Sequence, residues 1–288
     1  MEKAIFKTLA YADIFDYPLK INEIHKWLIG RKASLRQIKK VLESLSKKKK
    51  VKSKKDYYFL FRRDDLVNKR KKREKQSVVY LRKAKLFAAI LKVIPWIKLV
   101  GISGGLAMDN AKESDDIDLF IITSKNRLWI SRILALGLLS LSGQRRKVTD
   151  NGRRIAGKLC VNILLEEDRL EQSSKDIYLA HEVLQMRPLW QRDGIYQKYL
   201  EDNQWAFKFL PNWIGSSERE NKNSNTTYYI LHTTIGDIFE NLARKFQLWY
   251  MKLPKGMERI ENGAVYFHPN DIRLKVLAAL DKRCQFLV

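Results

Sequence analysis

Residues 101–123 read GISGGLAMDNAKESDDIDLFIIT, and few folds tolerate that order. The apolar run WIKLVGI (96–102) stops just before Gly104 and Gly105, residues that allow a sharp turn and close approach of neighbouring groups. A polar stretch follows, and then Asp116 and Asp118 alternate with Ile117 and Leu119 ahead of Phe120, Ile121 and Ile122. Strand geometry puts the two carboxylates on one face and the two aliphatic side chains on the other. Carboxylates side by side repel, and burial strips their hydration, so the pair costs energy unless a cation compensates. An exposed strand terminus would be the plainer explanation. Asp115, however, makes three acids within four residues beside LFIIT, a poor way to finish a strand for packing reasons alone. The pair is therefore a candidate seat for Mg²⁺ (or Mn²⁺), a hard ion that takes oxygen ligands and keeps positions for substrate phosphates. Backbone N–H groups exposed at the glycine turn would suit phosphate oxygens. The stretch reads as a holder for a metal–nucleoside triphosphate.

The surrounding chain supplies elements of ordinary length. Its 288 residues suit about two domains, and a 45% apolar share is that of a folded protein. Ile5, Leu9, Ala12 and Ile14 predict a helix over 2–15, and Pro18 breaks it. Ile21–Ile29 reads as a short helix stopped by Gly30. Ser34 followed by Gln37 is a capping-box pattern, opening a helix with Leu35, Ile38, Val41, Leu42 and Leu45 on its apolar face. KVKSKKDYYFLFRR predicts two short strands around Ser53–Asp56. A long basic helix over 64–94 ends at Pro95. A buried helix (Leu128–Leu141), a strand (KLCVNILL, 158–165) and mostly helical sequence complete the chain.

Gly104-Gly105, the ten residues LAMDNAKESD and then Asp116-Ile117-Asp118 resemble the signature of the DNA polymerase β-like nucleotidyltransferase superfamily. Ala107 falls where smaller members carry a small residue. The resemblance covers roughly 96–170. It implies that Asp116 and Asp118 are catalytic and bind divalent metal, and that Gly104 and Gly105 face the triphosphate. Active members usually add a third carboxylate on a later strand, where this chain offers Asn162 as the inward polar residue for the nucleotide. An amide cannot serve as a general base at neutral pH. Glu166 and Glu167, just beyond it, are the other acids within reach of that position. Gly105 also replaces a serine common among relatives.

Three helices followed by a basic hairpin resemble a winged helix-turn-helix. Lys and Arg outnumber Asp and Glu 29 to 9 in residues 1–100, and 27 to 23 in the rest. Such a lopsided field suits a polyanion. Arg36, Lys39 and Lys40 on the third helix, with Lys52, Lys54 and Lys55 on the hairpin, are the candidate nucleic-acid contacts, of a type that neutralises phosphates without reading bases. A solvated charged face is the alternative for any one of them. The expected architecture is α+β: an N-terminal winged-helix domain (1–63), a connecting helix (64–95), a small mixed-sheet nucleotidyltransferase domain (96–170) and a helical C-terminal region (171–288).

Other signals are weaker. Cys160 and Cys284 lie in apolar runs, which with the missing signal-peptide pattern predicts a reducing, cytoplasmic setting. Leu128–Leu141 is too short to span a bilayer. His25, His181, His232 and His268 show no zinc spacing, and HEVLQ lacks a second histidine, so His181 reads as a helix-surface or packing residue. YFHPND (266–271) reads as a helix cap, SSERENKNSNTT (216–227) as a surface loop, and Trp190, Trp205, Trp213 and Trp249 as core aromatics. Two functions stay open, beside a third in which the winged helix docks another protein. One is Mg-dependent transfer of a nucleoside monophosphate from an NTP to an acceptor hydroxyl, with DNA or RNA held by the basic module. The alternative is a DNA-binding regulator whose degenerate nucleotidyltransferase domain only binds nucleotide.

Overall fold

The computed structural model describes residues 1–147, 149–213, 234–251, 259–267 and 272–285. The loop expected at 216–227, His232, and the HPND turn (268–271) lie outside the described residues.

The chain begins with α1 (Glu2–Ile14), the short strand β1 (Leu19–Lys20), α2 (Ile21–Lys26) and α3 (Leu35–Lys47). The Ser34 hydroxyl accepts from the Gln37 N–H, and the Gln37 side chain accepts from the Ser34 N–H at 2.9 Å, as the capping-box pattern predicts. The hairpin follows as β2 (Val51–Lys54) and β3 (Tyr57–Leu60). Its turn residues Lys55 and Asp56 both have positive φ, the conformation whose twist matches a two-residue hairpin. β1 adds to this hairpin, giving an antiparallel sheet of order β1-β3-β2. Ile5, Leu9, Ile24, Ile38, Leu42 and Leu45 bury its small core.

Next come α4 (Leu66–Leu91), β4 (Ile97–Ile102), α5 (Gly104–Ala107), β5 (Ile117–Thr123), α6 (Leu128–Leu141), β6 (Leu159–Glu166), α7 (Ile177–Gln185) and β7 (Arg187–Gln191). The remainder is α8 (Ile195–Asp202), α9 (Ala206–Phe209), α10 (Thr234–Met251), β8 (Arg259–Glu261), β9 (Ala264–Tyr266) and α11 (Arg273–Cys284). Six strands form one mixed sheet of order β7-β4-β5-β6-β9-β8, in which β5 and β6 are parallel and every other pair is antiparallel. The protein is α+β. The stretch 171–288 is not helical alone, because β7 completes one edge of the sheet and β8-β9 the other. RPLWQ is too short for alternation to mark it. Asn262-Gly263 between RIE and AVY is a hairpin-turn signal that sequence reading missed.

The central strands are buried on both faces, as in parallel pairs generally. Ile117, Leu119 and Ile121 pack with α4 and α6 residues such as Phe87, Leu91, Leu128 and Leu139. Phe120 and Ile122 pack on the other side with Ile177, Ala180 and Tyr199, and with Phe6, Tyr11 and Trp27 of the N-terminal unit. The N-terminal helices therefore share a core with the large sheet. Among the described residues no helix is long and apolar enough to cross a membrane.

α4 joins the two parts through Arg70, whose buried guanidinium donates to Glu23 and Glu74 at 2.8 Å each and lies 3.7 Å from the centre of the Tyr17 ring. Removing one partner of a buried ion pair strands the others. Because Glu23 and Glu74 keep some contact with solvent, Arg70→Ala is expected to lower the unfolding free energy by about 2–3 kcal/mol in urea titration. A loss within error of zero would contradict this anchoring role.

Candidate metal centre

Alternation along β5 places Asp118 on the same face as Phe120 and Ile122, with Asp116 just before the strand. Parallel pairing sets Cys160 of β6 directly beside Asp118. Ligand atoms of Asp116, Asp118 and Cys160 all lie within 4.8 Å of one another, and the three side chains are partly buried. Among the described residues this is the cluster of acids, histidines and cysteines with the spacing to hold a metal ion. The Arg146 guanidinium donates to Asp116 Oδ2. Burial, and then the Asp116 charge, push the Asp118 carboxyl well above the usual carboxylate range, while Arg146 pulls the other way. Burial, then the two aspartates, also raise the Cys160 thiol, which holds it neutral.

The glycine turn lies against these acids. Gly104 has φ +61°, which favours glycine, and a Cβ there would crowd Asp118 Oδ2 at 3.2 Å. Ser103 caps α5, and its N–H donates to the Asp118 carbonyl at 3.1 Å. The turn is tied down behind: Asn110 N–H donates to the Gly105 carbonyl at 2.8 Å, and Ala111 N–H to Ser77 Oγ of α4 at 3.0 Å.

Asp118, Gly104, Gly105 and Asn162 line one cavity of about 620 Å³. α1 and α2 contribute Tyr11, Phe15 and Trp27 to its walls, α7 contributes Tyr178, His181 and Glu182, and the sheet contributes Phe120 and Tyr266. Asn162 is the extra residue of a β-bulge: Val161 pairs with Leu119 and Ile163 with Phe120, leaving Asn162 unpaired between them. The bulge turns it into the cavity, where its side-chain oxygen has no hydrogen-bond partner. Ser103 Oγ and His181 Nε2 are likewise buried without one.

Several sequence expectations change here. Glu166 and Glu167 do not reach the aspartates. Glu166 pairs with Thr123 at the far end of β5, roughly 20 Å along the strand from Cys160, and Glu167 is ion-paired with Lys98 at 2.6 Å. Cys160, read as a buried thiol, belongs to the acid cluster, which only the strand register could reveal. His181 is a packing residue, as expected. It stacks 4.1 Å from Tyr11 and 5.3 Å from Trp27, and burial lowers it to about 3, so it stays neutral. Its neighbour Glu182 was overlooked. Burial pushes that carboxyl up to about 7, with a hydrogen bond from Gln185 opposing the shift. Trp205 and Trp213 are core residues, but Trp249 is 66% exposed.

The six basic candidates form a separate surface. Arg36, Lys39 and Lys40 on α3, Lys52 and Lys54 on β2, and Lys55 in the turn are all exposed, and none lines the cavity. Lys52 is engaged by Asp64 at 2.5 Å.

No protein-family model matches the chain, and no curated protein and no solved structure matches it either.

Proposed function

We propose that the protein is a metal-dependent nucleotidyltransferase that moves a nucleoside monophosphate from an NTP to an acceptor hydroxyl. The observation that carries this reading is the Asp116–Asp118 pair, with ligand atoms within 4.8 Å, against a positive-φ glycine at the wall of an aromatic-lined cavity. Two carboxylates fit Mg²⁺ or Mn²⁺, whereas the neutral thiol of Cys160 does not suit a hard ion. Such an ion would neutralise triphosphate charge at the acids that hold it. Gly104 and Gly105 leave room for the phosphates, and Arg146 adds a cation at the same point. The aromatic walls suit an uncharged planar group, such as a base.

In this reaction the acceptor oxygen attacks the α-phosphorus, the bond to the bridging oxygen breaks, and pyrophosphate leaves. The acceptor proton needs a base. Asn162 cannot take it, and in our reading Glu182 does, being a carboxyl of the same cavity poised near neutrality. Glu182 thus stands in for the third carboxylate that relatives of the resembled superfamily carry on a strand.

The N-terminal unit supports a role in nucleic-acid contact. Its order of helix, strand, two helices and hairpin, with β1 on the hairpin, is compatible with a winged helix, and its third helix and hairpin carry the exposed basic residues. The second reading, a DNA-binding regulator that only senses nucleotide, is favoured by Asn162 standing where a strand carboxylate is expected. The two separate by turnover: the enzyme releases pyrophosphate from an NTP, and the regulator does not.

Calorimetry with NTPs and Mg²⁺ or Mn²⁺ should register uptake that Asp118→Asn abolishes. The same variant should melt about 2–4 °C higher at pH 7.5, since it removes a carboxylate that burial disfavours in its charged form. A carboxyl raised on folding costs stability wherever the unfolded chain would ionise it, so this gain should shrink as the pH falls below the raised value and vanish near the ordinary carboxylate value of about 4. An unchanged melting temperature with intact nucleotide uptake would contradict the site. Glu182→Gln should keep nucleotide uptake and lose on the order of 100-fold or more in turnover. The wild-type rate should fall as pH drops below about 7, and that limb should be absent from the residual activity of the variant. A fully active Glu182→Gln enzyme would remove Glu182 from the reaction.

A further inference from the structure

α10 is attached to the protein through Ala243, Leu248 and Met251 and through a set of polar contacts. The Glu240 carboxylate accepts from the Trp129 and Ile130 N–H groups at 2.7 and 2.9 Å, in the first turn of α6, where the helix dipole favours an anion. Gln247 donates to the Trp129 carbonyl at 2.8 Å, Arg127 pairs with Asp237 at 2.6 Å, and Ala243 is buried between these contacts. The larger apolar stripe faces away. Ile238, Phe239, Leu242, Phe246, Trp249 and Tyr250 are all more than half exposed. An ordinary surface helix has one apolar stripe and buries it, whereas α10 leaves its larger stripe in the open.

Three properties of the stripe say what covers it. Phe239, Leu242, Phe246 and Trp249 recur at three, four and three residues, the a/d spacing by which one helix packs its side chains against another. At on the order of 100 Å² apiece, six large side chains half exposed make roughly 600 Å². That is the upper end for a free monomer surface and approaches the ~800 Å² per partner of a standard interface. The stripe is also symmetric about its midpoint. Counting outward from Arg244, Leu242 and Phe246 stand two residues away, Phe239 and Trp249 five, and Ile238 and Tyr250 six. An isologous interface needs this self-complementarity, because each position meets its mirror position across a twofold axis. The +20 excess of charge lies in residues 1–100, so it does not set like charges along this helix.

We propose that the apolar face of α10 is a dimer interface, filled by α10 of a second copy running antiparallel across a twofold axis at Arg244. Leu242 then packs against the partner's Phe246, and Phe239 against the partner's Trp249. The inference stands independently of the proposed chemistry.

Sedimentation velocity on the full chain tests it. The wild type should sediment as a dimer at micromolar concentrations, and Phe246→Glu should weaken the dimer at least ~30-fold, as loss of a central hot spot does. Its far-UV circular dichroism should not change, since Phe246 is exposed. Under mild oxidation the Leu242→Cys, Phe246→Cys double variant should cross-link between chains, and Phe239→Cys alone should not, because the antiparallel register holds the two Phe239 positions far apart. A monomeric wild type would overturn the proposal, as would a dimer indifferent to Phe246→Glu or linked through Phe239→Cys. A monomer that floats with vesicles of phosphatidylcholine and phosphatidylglycerol would assign the face to a bilayer and overturn it equally.

Discussion

Two carboxylates and one guanidinium meet where the central sheet opens into a cavity, and the surrounding structure is arranged about that imbalance. Asp118 is drawn toward its neutral form by burial and by Asp116, and Arg146 offsets only part of the cost. A protein selected for stability alone would fill this position with a neutral residue. The neighbouring positions accommodate the acids instead: Gly104 gives up its side chain beside Asp118 Oδ2, and Cys160 offers a small neutral thiol across the strand pair. Strain of this kind at a cavity wall is the usual mark of a site that gains its missing charge from a ligand.

α4 has more to do than link the small sheet to the large one. Its Arg73 donates to the Phe15 carbonyl and to Asn110 Oδ1, and Asn110 donates in turn to the same Phe15 carbonyl and to the Gly105 carbonyl. Its Tyr80 donates to the Glu113 carbonyl at 2.7 Å and packs under Gly157, whose N–H donates to the Asp115 carbonyl at 2.8 Å. One helix therefore fixes the glycine turn, the segment leading to the aspartates and the end of α1. With Tyr11, Phe15 and Trp27 in the cavity wall, the basic N-terminal unit is built into the site and is not tethered beside it.

The local parts of this arrangement were legible in the residues. The Ser34–Gln37 capping box, the alternation at 116–122 and the turn at Gly104 each follow from contacts within a few positions, and the structure has them where expected. Parts that depend on pairing over long distances were not legible. Cys160 joins the acids through the β5–β6 register, and Glu182 arrives from a helix more than sixty residues after Asp118. No periodicity encodes such meetings. β7 was hidden by its brevity, while the Asn262-Gly263 hairpin was open to reading. Trp249 misled because amphipathic spacing says that a helix has an apolar face and is silent on which way that face points.

The most direct measurement is anomalous scattering from crystals soaked with Mn²⁺ and a non-hydrolysable nucleoside triphosphate. The account predicts manganese bound by carboxylate oxygens of both Asp116 and Asp118, with phosphate oxygens beside Gly104. Crystals that take up neither, with Arg146 still paired to Asp116, would contradict it.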